Sequence, residues 1–183
     1  DAEAQFALKE LLAGLGVKNL DCRQDGAQLD PRQRAGYLFN STIAGIDRAD
    51  VILLVGADPR REAPIVNSRI RRRWLTGALS VASIGLMSNA TFGVTSLGMG
   101  PAALQAIAAG NGDFAAKLKA AKNPMIIVGM GALRREDGAA IMALARQAAE
   151  ACNVVREDWN GFNVLHPAGG RVGGLDAGFV PGE

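Results

Sequence analysis

Val51-Ile52-Leu53-Leu54-Val55-Gly56 is a run of five aliphatic residues closed by a glycine. Successive side chains of a strand point to opposite faces, so a strand with one wet face alternates apolar and polar residues. A run with no polar member needs cover on both faces, the environment of a strand in a parallel sheet held between helices. The pattern recurs at Met125-Ile126-Ile127-Val128-Gly129, behind Pro124.

Helical signals lie between and around these runs. Pro64 suits the first turn of a helix, where its missing N–H is not needed, after a loop over Ala57-Asp58-Pro59-Arg60-Arg61. Val66, Ile70 and Trp74 would be its buried stripe and Gly77 its end. Leu79 to Ile84 is then a second strand, which makes a β-α-β crossover. Pro101–Ala109 and Asp113–Ala121 read as short helices separated by Gly110-Asn111-Gly112. Asp137 is a good N-cap for a helix that places Ile141, Leu144, Ala145, Ala148 and Cys152 on one face. Ser41 or Thr42 can cap a short helix through Ile46. Near the start, Leu8, Leu11, Leu12 and Leu15 have helical spacing, and Gly14 and Gly16 supply a stop. Residues 19–34 read as loop around at most a short strand near Leu20–Arg23. Val154-Val155 reads as the start of a fifth strand, and everything after Trp159 is punctuated by Gly and Pro without periodicity.

The alternation of strands and helices predicts an α/β fold: an open, doubly wound, mostly parallel sheet with helices on both faces. The expected organisation is one α/β domain over 1–158 and a Gly/Pro-rich tail over 159–183, either loop or the truncated start of a next region.

Composition narrows the function classes. The chain has 183 residues, 49% hydrophobic and 21% charged, enough for one substantial core. Aromatics are 5%, which argues against base-stacking surfaces for nucleic acid, and a net charge of +2 is too small to act as a field toward polyanions or lipid. No charged residue occurs from Trp74 through Gly112, but Ser, Thr, Asn and Gly recur there and Pro101 interrupts it, so buried strand plus loops is expected in place of a membrane span. Cys22 and Cys152 are too far apart for any cluster-ligand run, so neither a metal site nor an iron–sulfur cluster is expected here. Both read as free thiols of a reducing compartment, cytosolic or on the matrix side. The chain starts at Asp1 without a charged-then-apolar leader, so no signal or transit peptide is expected.

Two stretches carry possible chemistry: Val55-Gly56-Ala57-Asp58-Pro59-Arg60-Arg61-Glu62 and Val128-Gly129-Met130-Gly131-Ala132-Leu133-Arg134-Arg135-Glu136. Each puts a glycine at the carboxyl end of a buried strand and an arginine pair before a helix, where open α/β sheets bind ligands. Gly56, Asp58, Arg60, Gly129, Gly131 and Arg134 are therefore the candidate residues of an anion or nucleotide pocket. The competing reading is that a strand-to-helix turn needs glycine and that exposed arginines keep it soluble; neither loop has the G-x-G-x-x-G or P-loop lysine pattern. Arg69, Arg71, Arg72 and Arg73 form a basic cluster that helix-dipole complementarity explains, with a docking patch for an acidic subunit as the alternative. His166, the only histidine, has no accompanying nucleophile or ligand motif, and no catalytic residue is assigned.

Tyr37-Leu38-Phe39-Asn40-Ser41-Thr42-Ile43-Ala44-Gly45-Ile46-Asp47-Arg48-Ala49-Asp50, running into Val51 through Arg60, closely resembles the large iron–sulfur subunit of respiratory NADH:quinone oxidoreductase (complex I). The similarity continues through Glu62–Arg71, Ser96–Pro101 and Asn123–Gly129. The resemblance implies a domain similar to the molybdopterin oxidoreductases that serves as a scaffold and holds no molybdenum cofactor. It implies that loops such as Gly56–Arg60 and Gly129–Arg134 lie where relatives approach the guanine-nucleotide part of that cofactor. It implies that the [2Fe-2S] and [4Fe-4S] clusters belong to a ferredoxin-like region elsewhere in the parent subunit. The partners implied are other peripheral-arm subunits, and the place is the cytoplasmic or matrix side, peripheral to the inner membrane and not inserted in it.

Overall fold

The computed structural model describes residues 1–181. Its strands are β1 (Val51–Val55), β2 (Ser80–Ile84), β3 (Thr95–Ser96), β4 (Pro124–Val128), β5 (Val155–Arg156), β6 (Trp159–Asn160) and β7 (Phe162–Val164). Its helices are α1 (Ala2–Gly14), α2 (Thr42–Gly45), α3 (Pro59–Glu62), α4 (Pro64–Leu75), α5 (Ala102–Ala108), α6 (Asp113–Ala120), α7 (Met130–Leu133), α8 (Gly138–Ala151) and α9 (Gly170–Asp176).

Five strands form one sheet in the order β3-β2-β1-β4-β7, and every neighbouring pair is parallel. All five residues of β1 and of β4 are buried, as their unalternating sequences require. Leu53 and Ile126 face a core shared with Leu104, Leu118, Ala145 and Cys152, the layer of α5, α6 and α8. Ile52, Leu54, Met125 and Ile127 face the other core, with Val66 and Ile70 of α4 and Ile46. Helices therefore cover both faces, and the fold is the doubly wound α/β class that the sequence predicts. The Asp50 carboxylate ties two strand entrances together, accepting from the Lys122 and Asn123 N–H groups at 2.8 and 2.9 Å.

Several local expectations are corrected. Leu20–Arg23 forms no strand; the Cys22 N–H instead donates to the Phe179 carbonyl at 2.9 Å. Residues 57–61 are not all loop, because Pro59 starts the short helix α3. Asp137 makes no side-chain cap bond to α8, since its carboxylate is held by Arg135 at 2.6 Å. Val155 belongs to a two-stranded antiparallel ribbon with β6, outside the main sheet. The fifth sheet strand is β7, inside the stretch expected as loop, and α9 follows it. Two features hold β7 despite its three residues. Gly161 runs so close to β4 that a Cβ there would lie 2.0 Å from the Pro124 oxygen, and the fully buried Asn163 binds Ser41 and Gly161 through its amide.

Helix α1 forms, but its leucines do not supply core: none of its residues is buried, and only Leu12 of the four is even partly covered.

Candidate functional site

The chain leaves β1 toward β2 and β3 on one side, then returns past β1 to β4 and β7 on the other. The order reverses between β1 and β4, and in such sheets the crevice beyond the carboxyl ends at that point is where ligands bind. Both glycine loops are there. Val55 and Val128 are register partners, so Gly56 and Gly129 leave the sheet side by side.

The loops pack on each other and leave no gap. A Cβ on Gly129 would lie 2.5 Å from the Gly56 oxygen, and one on Gly131 2.7 Å from the same atom. A Cβ on Gly56 would lie 2.5 Å from the Ala132 nitrogen, and its φ of +55° also favours glycine. The three glycines thus allow two backbones to meet.

A cavity of about 330 Å³ opens beside this seam, toward β2 and α5, walled by Gly56, Asp58, Glu62, Gly85, Leu104, Gly131 and Arg135 among others. Larger depressions of about 590 and 630 Å³ lie elsewhere and include no residue of either loop. The cavity wall near Asp58 is acidic. One Asp58 oxygen, Oδ2, accepts from the Ser88 hydroxyl at 3.1 Å, while its other, Oδ1, is buried without a partner. Glu62 Oε1 accepts from the Asp58 N–H at 3.3 Å, and its Oε2 is likewise buried without a partner. Burial, and secondarily the neighbouring Asp58 charge, raises the Glu62 pKa against the opposing pull of that backbone bond and of Arg134.

Of the six candidate residues, Gly56, Asp58 and Gly131 line the cavity, and Gly129 lies behind it in the seam. The two arginines are engaged elsewhere. Arg60 donates to the Asn89 carbonyl and Arg134 pairs with Asp25 at 2.9 Å; neither lines the cavity. The cavity therefore presents two orphan carboxylate oxygens and no converging pair of guanidiniums, which does not fit a pyrophosphate or another anion. Sequence reading missed Glu62. Its signal was a carboxylate one turn into a proline-started helix, positioned to reach back to the N-cap N–H much as a capping box does.

Sequence reading also missed Arg171. Its side chain is 4% exposed and pairs with Asp25 at 2.7 Å, and its second terminal nitrogen lies 2.9 Å from the Met130 sulfur. His166 stands close by, its Nε2 2.6 Å from the Tyr37 oxygen. That contact requires the proton on Nε2, so the unpartnered Nδ1 carries a lone pair. Burial first, then the Arg171 charge, lowers the His166 pKa. The basic cluster of α4 is largely spent on the fold: Arg69 and Arg72 share the Asp47 carboxylate at 2.6 and 2.7 Å, and Arg73 donates to the Ala49 carbonyl at 2.8 Å. Among the described residues, no group of three or more His, Cys, Asp or Glu is placed to hold a metal ion, and no helix is long and apolar enough to cross a membrane.

An open, fully parallel sheet with helices on both faces and its two glycine loops at the order reversal defines a doubly wound α/β domain of the kind built around nucleotide crevices. Residues 1–183 match the molybdopterin oxidoreductase family, and the chain belongs to it. It is 46% identical over 177 residues to the G subunit of the NADH-quinone oxidoreductase of Rickettsia bellii and 48% identical over 177 residues to that of Rickettsia conorii. Each match covers 97% of this chain and 26% of the relative, so the chain spans about a quarter of the length of these proteins. Among solved structures, the formyltransferase/hydrolase complex from Methylorubrum extorquens, in complex with methylofuran, superposes with a TM-score of 0.56 at 18% identity. That match covers 99% of this chain and 56% of the other, and it speaks to the fold alone.

Proposed function

We propose that this chain is a structural domain of the peripheral arm of an NADH:quinone oxidoreductase, within a subunit resembling that of the Rickettsia relatives. The parent complex passes electrons from NADH to quinone. In this reading the iron–sulfur clusters lie elsewhere in that subunit, and the chain contacts other peripheral-arm subunits on the cytoplasmic or matrix side of the membrane. The supporting likeness is the 46–48% identity to those relatives over 97% of the chain. The observation that carries a scaffold role over a binding role is the seam: Gly56, Gly129 and Gly131 are occupied by each other's backbone, and the candidate arginines are bound to Asn89 and Asp25.

Two measurements test this. Removing the matched quarter from the full-length relative in a bacterium should abolish assembly of the peripheral arm; an assembled complex with normal NADH:quinone turnover would refute the proposal. Millimolar phosphate and guanine nucleotides should leave the melting temperature of the chain unchanged. A ligand at a hundred times its Kd stabilises by about 2.7 kcal/mol, so binding would be visible. Stabilisation that Arg60→Ala or Arg134→Ala removes would overturn the scaffold reading in favour of an anion-binding module.

A further inference from the structure

Helix α1 is docked with its leucines turned outward. Leu8, Leu11 and Leu15 recur at spacings of three and four and so share one face, and they are 46%, 60% and 69% exposed. The inward contacts come from small and polar side chains. Ala2 lies against Gly173, Gln5 against Gly174, and the Lys9 ammonium donates to the Ala177 carbonyl at 2.8 Å. Amphipathic helices on a globular domain ordinarily place the apolar stripe inward. An inverted one marks a surface that something else covers.

The size of the stripe decides between occupants. A fully exposed leucine side chain offers on the order of 100 Å² of apolar area. At the observed exposures the three together offer on the order of 200 Å², and two copies face to face about twice that. A stable specific interface buries about 1,200–2,000 Å² in total, so a second copy seated here would not hold. A segment of the same polypeptide faces no such threshold, because tethering keeps it at an effective concentration of about millimolar. The relatives supply that polypeptide, since the matched stretch is 26% of their length.

We infer that the Leu8–Leu11–Leu15 stripe is an internal seam: in a subunit of the relatives' length, an aliphatic segment of the same polypeptide, from outside the matched quarter, packs over it. The inference rests on the peripheral-arm reading above.

Thiol labelling tests it. Leu11→Cys in this chain, and cysteine at the aligned residue of the full-length Rickettsia bellii relative, are reacted with a maleimide. Each rate is corrected for the same protein without the new cysteine, since Cys22 is partly exposed. The expected result is labelling at least tenfold slower in the isolated full-length protein than in the 183-residue chain. Equal rates would overturn the seam. So would a chain that sediments as a dimer and becomes monomeric on Leu11→Glu, which would name a second copy as the cover. Protection that appears only in the assembled complex would also overturn it, assigning the cover to another subunit while leaving the peripheral-arm reading intact. A full-length protein that never enters a complex would sink that reading without altering the labelling ratio. Leu15→Cys repeats the measurement at the far end of the stripe if Leu11→Cys disturbs folding.

Discussion

Gly129→Ala separates the two meanings that a glycine at a strand exit can have. The backbone there is extended, with φ −102° and ψ 170°, which any L-residue adopts, so the substitution carries no torsional cost. Its cost is steric. The new methyl would lie 2.5 Å from the Gly56 oxygen, 2.6 Å from the Ala57 Cα and 2.7 Å from the Ala57 Cβ. None of these is the end of a flexible side chain. Relief means moving the 56–57 backbone, which is fixed on one side by Gly56 N–H to Ile84 oxygen at 2.9 Å and on the other by Gly129 N–H to Val55 oxygen at 2.9 Å. Overpacking costs about 1–3 kcal/mol, and contacts with backbone place this case at about 2–3 kcal/mol. For a domain of this size each kcal/mol lowers Tm by about 2–4 °C, which gives a fall of roughly 4–12 °C. Circular-dichroism melts measure it, with urea unfolding at unchanged slope to confirm that only stability moved. Gly100→Ala is the control, since a Cβ there meets nothing within 4 Å, and it should stay within about 0.5 kcal/mol of the parent. A Gly129→Ala protein that melts with the control would refute the seam, because a loop that accepts a methyl freely has room for a ligand.

Two further substitutions probe the charged interior. Glu62 has a folded-state pKa raised above its ordinary value of 4.5, so the stability it contributes is present below that value and lost as pH rises through the folded pKa. Gln mimics the protonated form; Glu62→Gln should melt above the parent at pH 8 and together with it below pH 4.5, and an equal difference at both pH values would refute burial as the cause. Asp25→Ala leaves the Arg171 guanidinium buried without its carboxylate, and breaking a buried pair costs about 3–5 kcal/mol. Because Asp25 is 18% exposed, about 3 kcal/mol is expected by urea unfolding, and a loss under about 1 kcal/mol would mean that Arg171 reaches water. Arg171→Met should cost less than Asp25→Ala, since Asp25 keeps Arg134.

The central sheet was legible because its signal is local. Five aliphatic residues in a row admit few environments, and β1 and β4 fall within a residue of the runs that predict them. The helices α4, α5, α6 and α8 carry their own stops and periodicity and were equally readable. The inversion of α1 was not legible. Leu8, Leu11 and Leu15 have the spacing of a buried stripe, and periodicity reports that a face is apolar without reporting what covers it. Charged partners were hidden for a related reason: Asp25 and Arg171 are 146 positions apart, and no local pattern announces a pair closed by the fold.

Glycine misled in both directions, and for one physical cause. At Gly56, Gly129 and Gly131 it suggested a loop kept bare for a ligand; at Gly161, Gly173 and Gly174 it suggested a tail too flexible to fold. In all six places the missing Cβ lets two parts of the chain approach more closely than a side chain allows: Gly56 meets Ala132, Gly161 meets Pro124, and Gly174 would bring a Cβ within 2.7 Å of the Cys22 Cβ. Sequence records that a Cβ is absent, not which neighbour fills its place. A phosphate and a second backbone make the same demand on the residue, so the choice between crevice and seam had to come from the distances across it. Those distances put protein on the far side of each loop glycine, and that is why a scaffold role is the better reading of a fold whose topology alone would suggest a nucleotide site.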